Sequence, residues 1–404
     1  MQIAPAAAGG KEGMQGSAGE VFRTFLKLGL TSFGGPIAHL GYYRQEIVLR
    51  RRWIDEKGYA DIVALCQFLP GPASSQVGFA LGLMRGGPVG AAAAWVAFTL
   101  PSAMLMVAFA LGADAFAGPM GAGITHGLKV VAVAIVAQAV WGMAVTLCPD
   151  RTRASIALGA VLIVVLTTSA SLGQVAAIAA GGLAGLWLCR IDDEATGGHV
   201  GFAVSRATGF VALALFFALL AGLPLLATLT DSQSIAVFDA FYRAGSLVFG
   251  GGHVVLPLLS AEVVPRGWLS PDQFLAGYGA AQAVPGPLFT FAAYLGALGP
   301  APAGAAIALV AIFLPGFLLL VGVIPFWDAL RRRPGFRALM RGANAAVVGI
   351  LGAALYDPVF TSAVVGPGEF ALALTCFVML AAWRAPSWIV VLTGATGGLM
   401  IGAL

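Results

Sequence analysis

Long apolar runs separated by short polar turns fill most of this sequence. The runs are continuously apolar, which indicates transmembrane helices, because strands of a membrane barrel alternate between lipid-facing and lumen-facing residues. A helix needs about 20 apolar residues to cross the bilayer core. Five runs are long enough, namely Pro88 to Gly112, Gly121 to Leu147, Ala154 to Ala170, Gly209 to Thr230 and Gly304 to Pro325. The pattern predicts an all-α protein that crosses a membrane several times.

The composition agrees with this prediction. Of the 404 residues, 59% are hydrophobic and 10% are charged, whereas soluble domains carry about 25% charged residues. A water-soluble fold is excluded. The net charge of +4 comes from basic residues in short loops, which indicates membrane topology rather than nucleic-acid binding. We therefore expect the lipid bilayer, and no nucleic acid, as a partner.

The sequence contains an internal repeat. At shifts of 214 to 216 residues, whole motifs and single Trp, Gln and Glu residues fall on each other in order. The matched pairs include Phe25 with Phe241, Gly29 with Gly245, Glu46 with Glu262, Trp53 with Trp268 and Pro101 with Pro315. The repeat predicts four parts, namely a disordered tail (1–19), a first copy (20–190), a polar loop with a linker helix (191–235) and a second copy (236–404).

Loop charges indicate that the two copies are inserted in opposite directions. The loop at 44–57 carries five basic residues, while its counterpart keeps Arg266; conversely, residues 113–125 carry none, while the matching loop holds Arg331 and its basic neighbours. Short basic loops stay in the cytoplasm. An inverted-topology repeat is therefore favoured over a parallel one.

The number of membrane segments depends on two interrupted stretches in each copy. If residues 22–48 and 59–84 form broken or re-entrant pairs of half-helices, each copy has four full spans and the linker helix makes nine. If the interrupted stretches also span, the total is about thirteen.

Two motifs interrupt each copy at corresponding points. They are Phe33-Gly34-Gly35-Pro36 with Phe249-Gly250-Gly251-Gly252, and Pro70-Gly71-Pro72 with Pro285-Gly286-Pro287. Proline and paired glycines break helices, and unpaired backbone in a membrane is tolerated where it is buried in protein or lines a wet cavity. A single motif would be a packing kink. Four paired motifs predict a substrate site at the repeat interface.

The chemistry of these breaks suits an anion. A half-helix that begins after Pro36 or Pro72 points free amide hydrogens and the positive end of its dipole into the break. Ser74 and Ser75 would add hydroxyl donors, whereas the second copy offers Thr290. We expect the first copy to supply more of the polar contacts. Gln67 and Gln282 each precede a Pro-Gly-Pro motif by three residues, and either bind substrate or cap a half-helix.

Ionisable residues near the breaks are further candidates. Lys27 and Arg243 occupy equivalent positions; they either supply positive charge to the site or extend to the membrane interface. The equivalent carboxylates and the two nearby histidines are candidates for proton coupling, with arginine neutralisation and structural hydrogen bonding as the respective alternatives. These four residues are Glu46, Glu262, His39 and His253.

No redox or metal site is expected. The four cysteines are scattered without a CxxC pair, and the histidines do not have metal-ligand spacing. We therefore expect no metal and no cofactor. A membrane-bound oxyanion reductase, which would need a haem, flavin or metal, is the less favoured alternative to a transporter.

The motifs resemble those of a known family. The stretch from Phe25 through Phe33-Gly34-Gly35-Pro36, followed by Glu46, Trp53, Gln67 and Pro70-Gly71-Pro72, is similar to the signature of the chromate transporter superfamily, and the second copy resembles it too. The second copy has Gly252 where the first has Pro36. The likeness covers nearly the whole chain and matches the long, two-domain form of the family.

The resemblance implies efflux of chromate from the cytoplasm across the bacterial inner membrane by a secondary transporter, driven by the membrane potential or the proton gradient. Alternating access between the two copies would move the anion. Sulfate or another oxyanion, and a passive anion channel, stay open as alternatives. The sequence also leaves open the oligomeric state, with a homodimer among the options.

Overall fold

The computed structural model describes residues 16–112, 118–190, 204–249 and 251–403, which are helical and contain no strands. Most of the predicted tail, the polar loop up to residue 203, and Gly250 lie outside the described residues. Six helices in these ranges are long and apolar enough to cross a membrane, judged by length and composition. The prediction of an all-α polytopic membrane protein is confirmed.

The helices of the first copy follow the predicted interruptions. A π-helical turn, Arg44–Arg50, extends α2. The helices are α1 (Ala18–Thr31), α2 (Gly35–Tyr43), α3 (Glu56–Phe68), α4 (Ala73–Leu111), α5 (Pro119–Leu147), α6 (Arg151–Leu166) and α7 (Ala170–Leu188), followed by the linker α8 (Arg206–Leu229).

The second copy repeats this order with shorter elements. Short 3-10 turns, Gly252–Val254 and Leu288–Thr290, lead into α10 and α12. The helices are α9 (Gln233–Ser246), α10 (Val255–Val263), α11 (Pro271–Ala281), α12 (Phe291–Leu298), α13 (Gly304–Val323), α14 (Trp327–Arg331), α15 (Pro334–Ala354), α16 (Thr361–Ala363), α17 (Pro367–Ala381) and α18 (Ser387–Ala403).

Helix α4 is a hairpin of two arms, 73–85 and 88–111. Its chain reverses at Gly86 and Gly87, where Gly87 has a φ of 63°, a conformation that glycine adopts without steric cost. The arms then touch through glycines, because Gly82 faces the carbonyl group of Gly90 without an intervening side chain. In the second copy Gly296 faces Gly304 in the same way, between α12 and α13.

Helix α7 of the first copy packs against α15 of the second. Gly181 faces Ala346, while Gly185, one turn later, faces Ala338. The order of these contacts shows that α7 and α15 run antiparallel. Glycines let helix backbones approach closely in a membrane, where packing rather than the hydrophobic effect holds helices together.

Helix α18 of the second copy makes the same contact with α5 of the first. Gly123 faces Leu399, and Gly127 faces Gly394 and Ala395. Each copy therefore places its last two helices against the other copy. The two copies are interlocked and do not form separate bundles.

The equivalent helices α5 and α15 run in opposite directions. Helices α6 and α7 are joined by the short turn 167–169, so the end of α7 at Cys189 lies beside the end of α5 at Cys148. Arg341, in the first half of α15, donates to the carbonyl oxygen of Cys189 at 3.3 Å. At the other end of the pair, His126 of α5 lies 3.2 Å from Glu369, which follows the end of α15. The two copies are thus inverted, which confirms the prediction from loop charges.

Buried apolar side chains form two clusters. The smaller one surrounds α1, α2, α3 and the first arm of α4, and it includes Phe25, Tyr43 and Ile47 together with Leu320 and Trp327 of the second copy. The larger cluster joins the end of α4, α5 to α7 and the linker α8 with α9 to α13 and α15 to α18. The interrupted helices of the first copy therefore pack as a unit beside the main body.

Candidate functional site

Two reciprocal hydrogen bonds bring the interrupted segments together. The amide nitrogen of Gly71 donates to the carbonyl oxygen of Val248 at 2.7 Å, and that of Gly286 donates to the carbonyl oxygen of Ser32 at 2.9 Å. Gly71 and Gly286 are repeat equivalents, as are Ser32 and Val248. Each Pro-Gly-Pro loop thus contacts the residue just before the Phe-Gly-Gly segment of the other copy.

The backbone at these breaks needs glycine. Positive φ angles occur at Gly34 (98°), Gly35 (80°), Gly71 (124°), Gly251 (145°) and Gly286 (98°), where other residues are strained. Helix α2 begins with Pro36 in its first turn and α4 begins directly after Pro72. The predicted half-helices are present, so free amide groups point into the breaks. Phe33 and Pro70 lie half-buried beside them.

The two Phe-Gly-Gly segments also approach each other. A Cβ atom at Gly252 would lie 3.4 Å from Cγ of Pro36. Gly252 stands at the position that Pro36 has in the first copy, and the close approach of Pro36 explains why a small residue suits it. Phe249 is half-buried, and Gly250 is outside the described residues.

Buried polar side chains follow the first Pro-Gly-Pro loop. The hydroxyl of Ser74 lies 3.3 Å from Nδ1 of His39, and Ser75 Oγ has no hydrogen-bond partner among the described residues. The amide of Gln76 donates to the carbonyl oxygens of Pro70 at 3.0 Å and Gly316 at 2.9 Å. Gln76 therefore joins the loop of one copy to α13 of the other.

The second copy is less polar at the same place. The apolar residues Leu288 and Phe289 follow the second Pro-Gly-Pro loop. The hydroxyl of the next residue, Thr290, donates to the carbonyl oxygen of Pro287 at 2.8 Å. Gln282 Nε2 is buried and has no partner in the described part of the chain. Its equivalent, Gln67, is exposed, so the two glutamines occupy different surroundings.

Sequence reasoning missed three buried hydroxyls in the first copy. Ser32, Thr99 and Ser102 are each at most 2% exposed, and a Cβ atom at Gly286 would lie 2.8 Å from Ser102 Oγ. Thr99 and Ser102 are three residues apart on the second arm of α4. The sequence does carry a signal for Thr99 and Ser102, because two polar residues at helical spacing stand out inside an apolar run.

Lys27 lies against a carboxylate. Its ammonium is 3.1 Å from Glu46, whose oxygens also accept from Arg50 at 3.0 Å and Arg51 at 2.9 Å. The Lys27 side chain is 51% exposed. Glu46 does neutralise neighbouring basic residues, and its role in proton coupling stays a prediction.

Arg243 repeats this arrangement in a more buried setting. It lies 2.9 Å from Asp239 and 2.8 Å from Glu262, and Glu262 also accepts from Arg266 at 3.0 Å. The cation and the carboxylate are thus conserved between the copies as a pair. Both cations already have a carboxylate partner, and their contact with an anion stays a prediction.

The two histidines have different partners. His253 Nδ1 lies 2.7 Å from the hydroxyl of Tyr278, whereas His39 contacts Ser74 and packs edge-on against Phe98 with ring centres 5.3 Å apart. Within the described ranges, no group of three or more His, Cys, Asp or Glu side chains could hold a metal ion.

Interrupted helices that meet between two inverted copies define a membrane transport protein. The chromate transporter family model matches residues 19–186 and 235–399. The chain therefore belongs to the chromate transporter family, and it is a multi-pass membrane transporter rather than an enzyme.

Relatives from three bacteria support this assignment. The chain is 30% identical to the chromate transport protein of Pseudomonas aeruginosa over 94% of its own length and 90% of the relative. It is also 30% identical to a probable chromate transport protein of Synechococcus elongatus, with 82% of each chain covered. The chromate transport protein of Cupriavidus metallidurans is 30% identical, with 81% and 79% covered. No solved structure matches the chain.

Proposed function

We propose that this protein exports a tetrahedral oxyanion, chromate, from the bacterial cytoplasm across the inner membrane by alternating access. The observation that carries the proposal is the pair of reciprocal hydrogen bonds, Gly71 to Val248 and Gly286 to Ser32. These bonds bring four helix breaks to one place between the copies. Such a place is where transporters with inverted repeats bind their substrates.

The breaks favour a negatively charged substrate. The half-helices that begin at Gly35 and Ala73 direct free amide hydrogens toward the interface, and the positive ends of their dipoles stabilise an anion. The hydroxyl of Ser75 lies beside them without a partner among the described residues. The breaks and Gln282 form the proposed binding region, and Lys27 and Arg243 are the cations closest in sequence to the first break of each copy.

Chromate is proposed because relatives that cover most of this chain are named chromate transport proteins. Sulfate has the same shape and charge, so it is the natural competitor. An outward direction agrees with the energetics, because the potential across a membrane acts on each charge with about 2.3 kcal/mol per 100 mV. A dianion leaving a negatively charged cytoplasm gains twice that amount.

The inversion of the two copies supports alternating access as the mechanism. Two copies of one fold in opposite orientation can exchange conformations, so that the site between them opens first to one side and then to the other. A proton would enter the cycle through Glu46, Glu262, His39 or His253.

Uptake into everted membrane vesicles tests the proposal. In these vesicles the cytoplasmic face is outside, so export appears as accumulation. Labelled chromate and labelled sulfate are supplied separately, with and without an imposed potential or proton gradient. We expect chromate to accumulate above its external concentration when the potential is present, and vesicles without the protein to accumulate none.

Three outcomes would overturn parts of the proposal. With the potential clamped at zero and a proton gradient imposed, equilibration without accumulation would indicate a passive channel, because a channel moves its ion only down that ion's own electrochemical gradient. Accumulation of sulfate in preference to chromate would change the substrate. No flux of either anion would reject oxyanion transport.

A further inference from the structure

Several buried hydrogen-bond donors in the first copy have no partner among the described residues. They are Ser32 Oγ, His39 Nε2 and Thr99 Oγ1, and the three side chains are 0 to 2% exposed. Burying a polar group without a partner costs about 1–3 kcal/mol, and native proteins leave few such groups. Three of them in one region therefore indicate a ligand.

These donors lie around the point where the second copy contacts the first. The carbonyl group of Ser32 accepts from Gly286 at 2.9 Å. His39 packs against Phe98, the residue before Thr99, and a Cβ atom at Gly286 would lie 3.2 Å from the carbonyl oxygen of Phe98. The second copy places Val248 and Phe313 where the first has Ser32 and Thr99.

Both cations near the breaks form salt bridges with carboxylates. Lys27 pairs with Glu46, and Arg243 pairs with Asp239 and Glu262. Within the described part of α1, α2 and α4, His39 contacts Ser74, Phe98 and the backbone of Ser32, and none of these groups is charged. The donors are hydroxyls, an imidazole and backbone amides.

We propose that the oxyanion is held by uncharged donors of the first copy, with Ser32, Thr99 and Nε2 of His39 as specificity-determining ligands. This inference rests on the proposed function and assigns ligands to its site. In the tautomer that the proposal requires, the hydroxyl of Ser74 donates to Nδ1 of His39 and the ring hydrogen lies on Nε2.

Equilibrium binding to the purified full-length protein in detergent tests the assignment, with chromate and sulfate as probes. Ser32→Ala and Thr99→Val each remove one donor, and we expect each to weaken binding about tenfold, as for the loss of one hydrogen bond to a charged group. Thr375→Val is the matched control, because Thr375 bonds within α17 and is exposed. It should bind like the wild type.

His39 allows a conservative rescue. Glutamine places an amide donor near the position of Nε2, so His39→Gln should retain more affinity than His39→Leu. If Ser32→Ala, Thr99→Val and His39→Leu fold normally and bind with wild-type affinity, the ligand assignment is wrong. If the wild type moves chromate in vesicles yet these variants are unaffected, the proposed function survives and the inference fails. If the wild type neither binds nor moves an oxyanion, the proposed function itself fails.

A second inference comes from ion pairs that join the copies. Asp61 of α3 lies 2.9 Å from Arg331 of α14, with side chains 7% and 13% exposed. Lys129 of α5 lies 2.8 Å from Asp272 of α11. Helix α11 is the repeat equivalent of α3, so each pair joins this helix of one copy to the other copy.

The two pairs lie toward opposite faces of the membrane. Arg331 belongs to a basic loop, and α3 begins directly after the basic loop at 44–57, so both are cytoplasmic by loop charge. Asp272 is the repeat equivalent of Lys57 in that loop, and the inversion of the copies puts it on the other side. Each carboxylate lies in the first two turns of its helix, and a Pro-Gly-Pro loop follows the other end of that helix.

We infer that these ion pairs act as two gates, Asp61 with Arg331 toward the cytoplasm and Lys129 with Asp272 toward the outside. Opening either side of the site requires the pair on that side to separate. Both pairs are formed in this structure.

Reversible cross-linking tests the gates in a chain without its four native cysteines. A short bifunctional reagent that forms a disulfide with each cysteine joins the two positions of a gate. The two double variants are Asp61→Cys with Arg331→Cys and Lys129→Cys with Asp272→Cys. Each cross-link should stop chromate flux, and a reductant should restore it. The control joins Asp150→Cys with Arg153→Cys, a pair within one helix start. Flux at the uncross-linked rate in either gate variant would reject that gate.

Discussion

The amide nitrogen of Gly71 lies 2.7 Å from the carbonyl oxygen of Val248, 177 positions along the chain and in the other copy. A glycine with a φ of 124° makes this possible. The equivalent contact joins Gly286 to Ser32, so backbone groups of the breaks themselves form part of the interface between the copies.

Replacing Gly71 should disturb this interface. In Gly71→Ala the backbone would have to keep a conformation that costs an L-residue about 1–2 kcal/mol, and the new Cβ would lie 3.0 Å from Cα of Gly316. We expect a lower unfolding midpoint in detergent and reduced chromate flux. Gly142→Ala is the control, since a Cβ there meets nothing within 4 Å. Equal midpoints for the two variants would contradict the role given to Gly71.

The interlocking of the copies should be sensitive to side chains at the crossing glycines. Gly185→Leu and Gly398→Leu each place a large side chain between helices of different copies, and overpacking typically costs about 1–3 kcal/mol. Size-exclusion profiles after stepwise heating should show earlier loss of the folded protein. Gly159→Leu, at an open position on α6, should behave like the wild type. Loss at the same temperature in all three would count against close packing.

The two equivalent cations should differ in their effect on stability. Arg243→Met leaves the buried carboxylates of Asp239 and Glu262 together, and breaking a buried pair costs on the order of 3 kcal/mol. Lys27→Met leaves Glu46 with two arginines and removes a half-exposed side chain. We expect a clearly larger drop in the unfolding midpoint for Arg243→Met. The reverse order would mean that Lys27 is the structural cation.

The same variants separate stability from substrate binding. If the cations also supply positive charge to the anion, conservative Lys27→Gln and Arg243→Gln should raise the KM for chromate in membrane vesicles while insertion continues. An unchanged KM in a variant that inserts normally would remove that residue from the site.

The inverted arrangement can be tested by labelling from one side. Pro149 and Val365 are equivalent positions in loops of the two copies, and both are exposed. In a chain without native cysteines, Pro149→Cys and Val365→Cys should react with a membrane-impermeant maleimide from opposite sides of the membrane. Reaction of both from the same side in intact cells would contradict the inversion.

The sequence predicted the helical class, the repeat and the inversion because each rests on local signals. Apolar length identifies spans, matched motifs identify copies, and basic loops report orientation. The helix starts at Gly35 and Ala73 were also predictable, since proline and glycine fix backbone geometry locally.

The contacts between the copies could not be predicted in the same way. The pairing of Gly71 with Val248 and the packing of Gly185 against α15 depend on the three-dimensional arrangement of segments far apart in the chain. In the sequence, Ser32 and Thr99 are isolated polar residues in apolar surroundings. The fold shows that both lie near Gly286. Their spacing carried a signal, but their shared location did not appear in the sequence.

The exchange of terminal helices has a consequence for biosynthesis. Gly123 and Gly127 of α5 enter the membrane early, yet α18, which covers them, leaves the ribosome only after α6 to α17. The first copy therefore waits through the synthesis of the entire second copy before its packing is complete. A truncated product would expose uncovered glycine surfaces on α5 in the bilayer, a feature by which membrane quality control can recognise an unfinished chain.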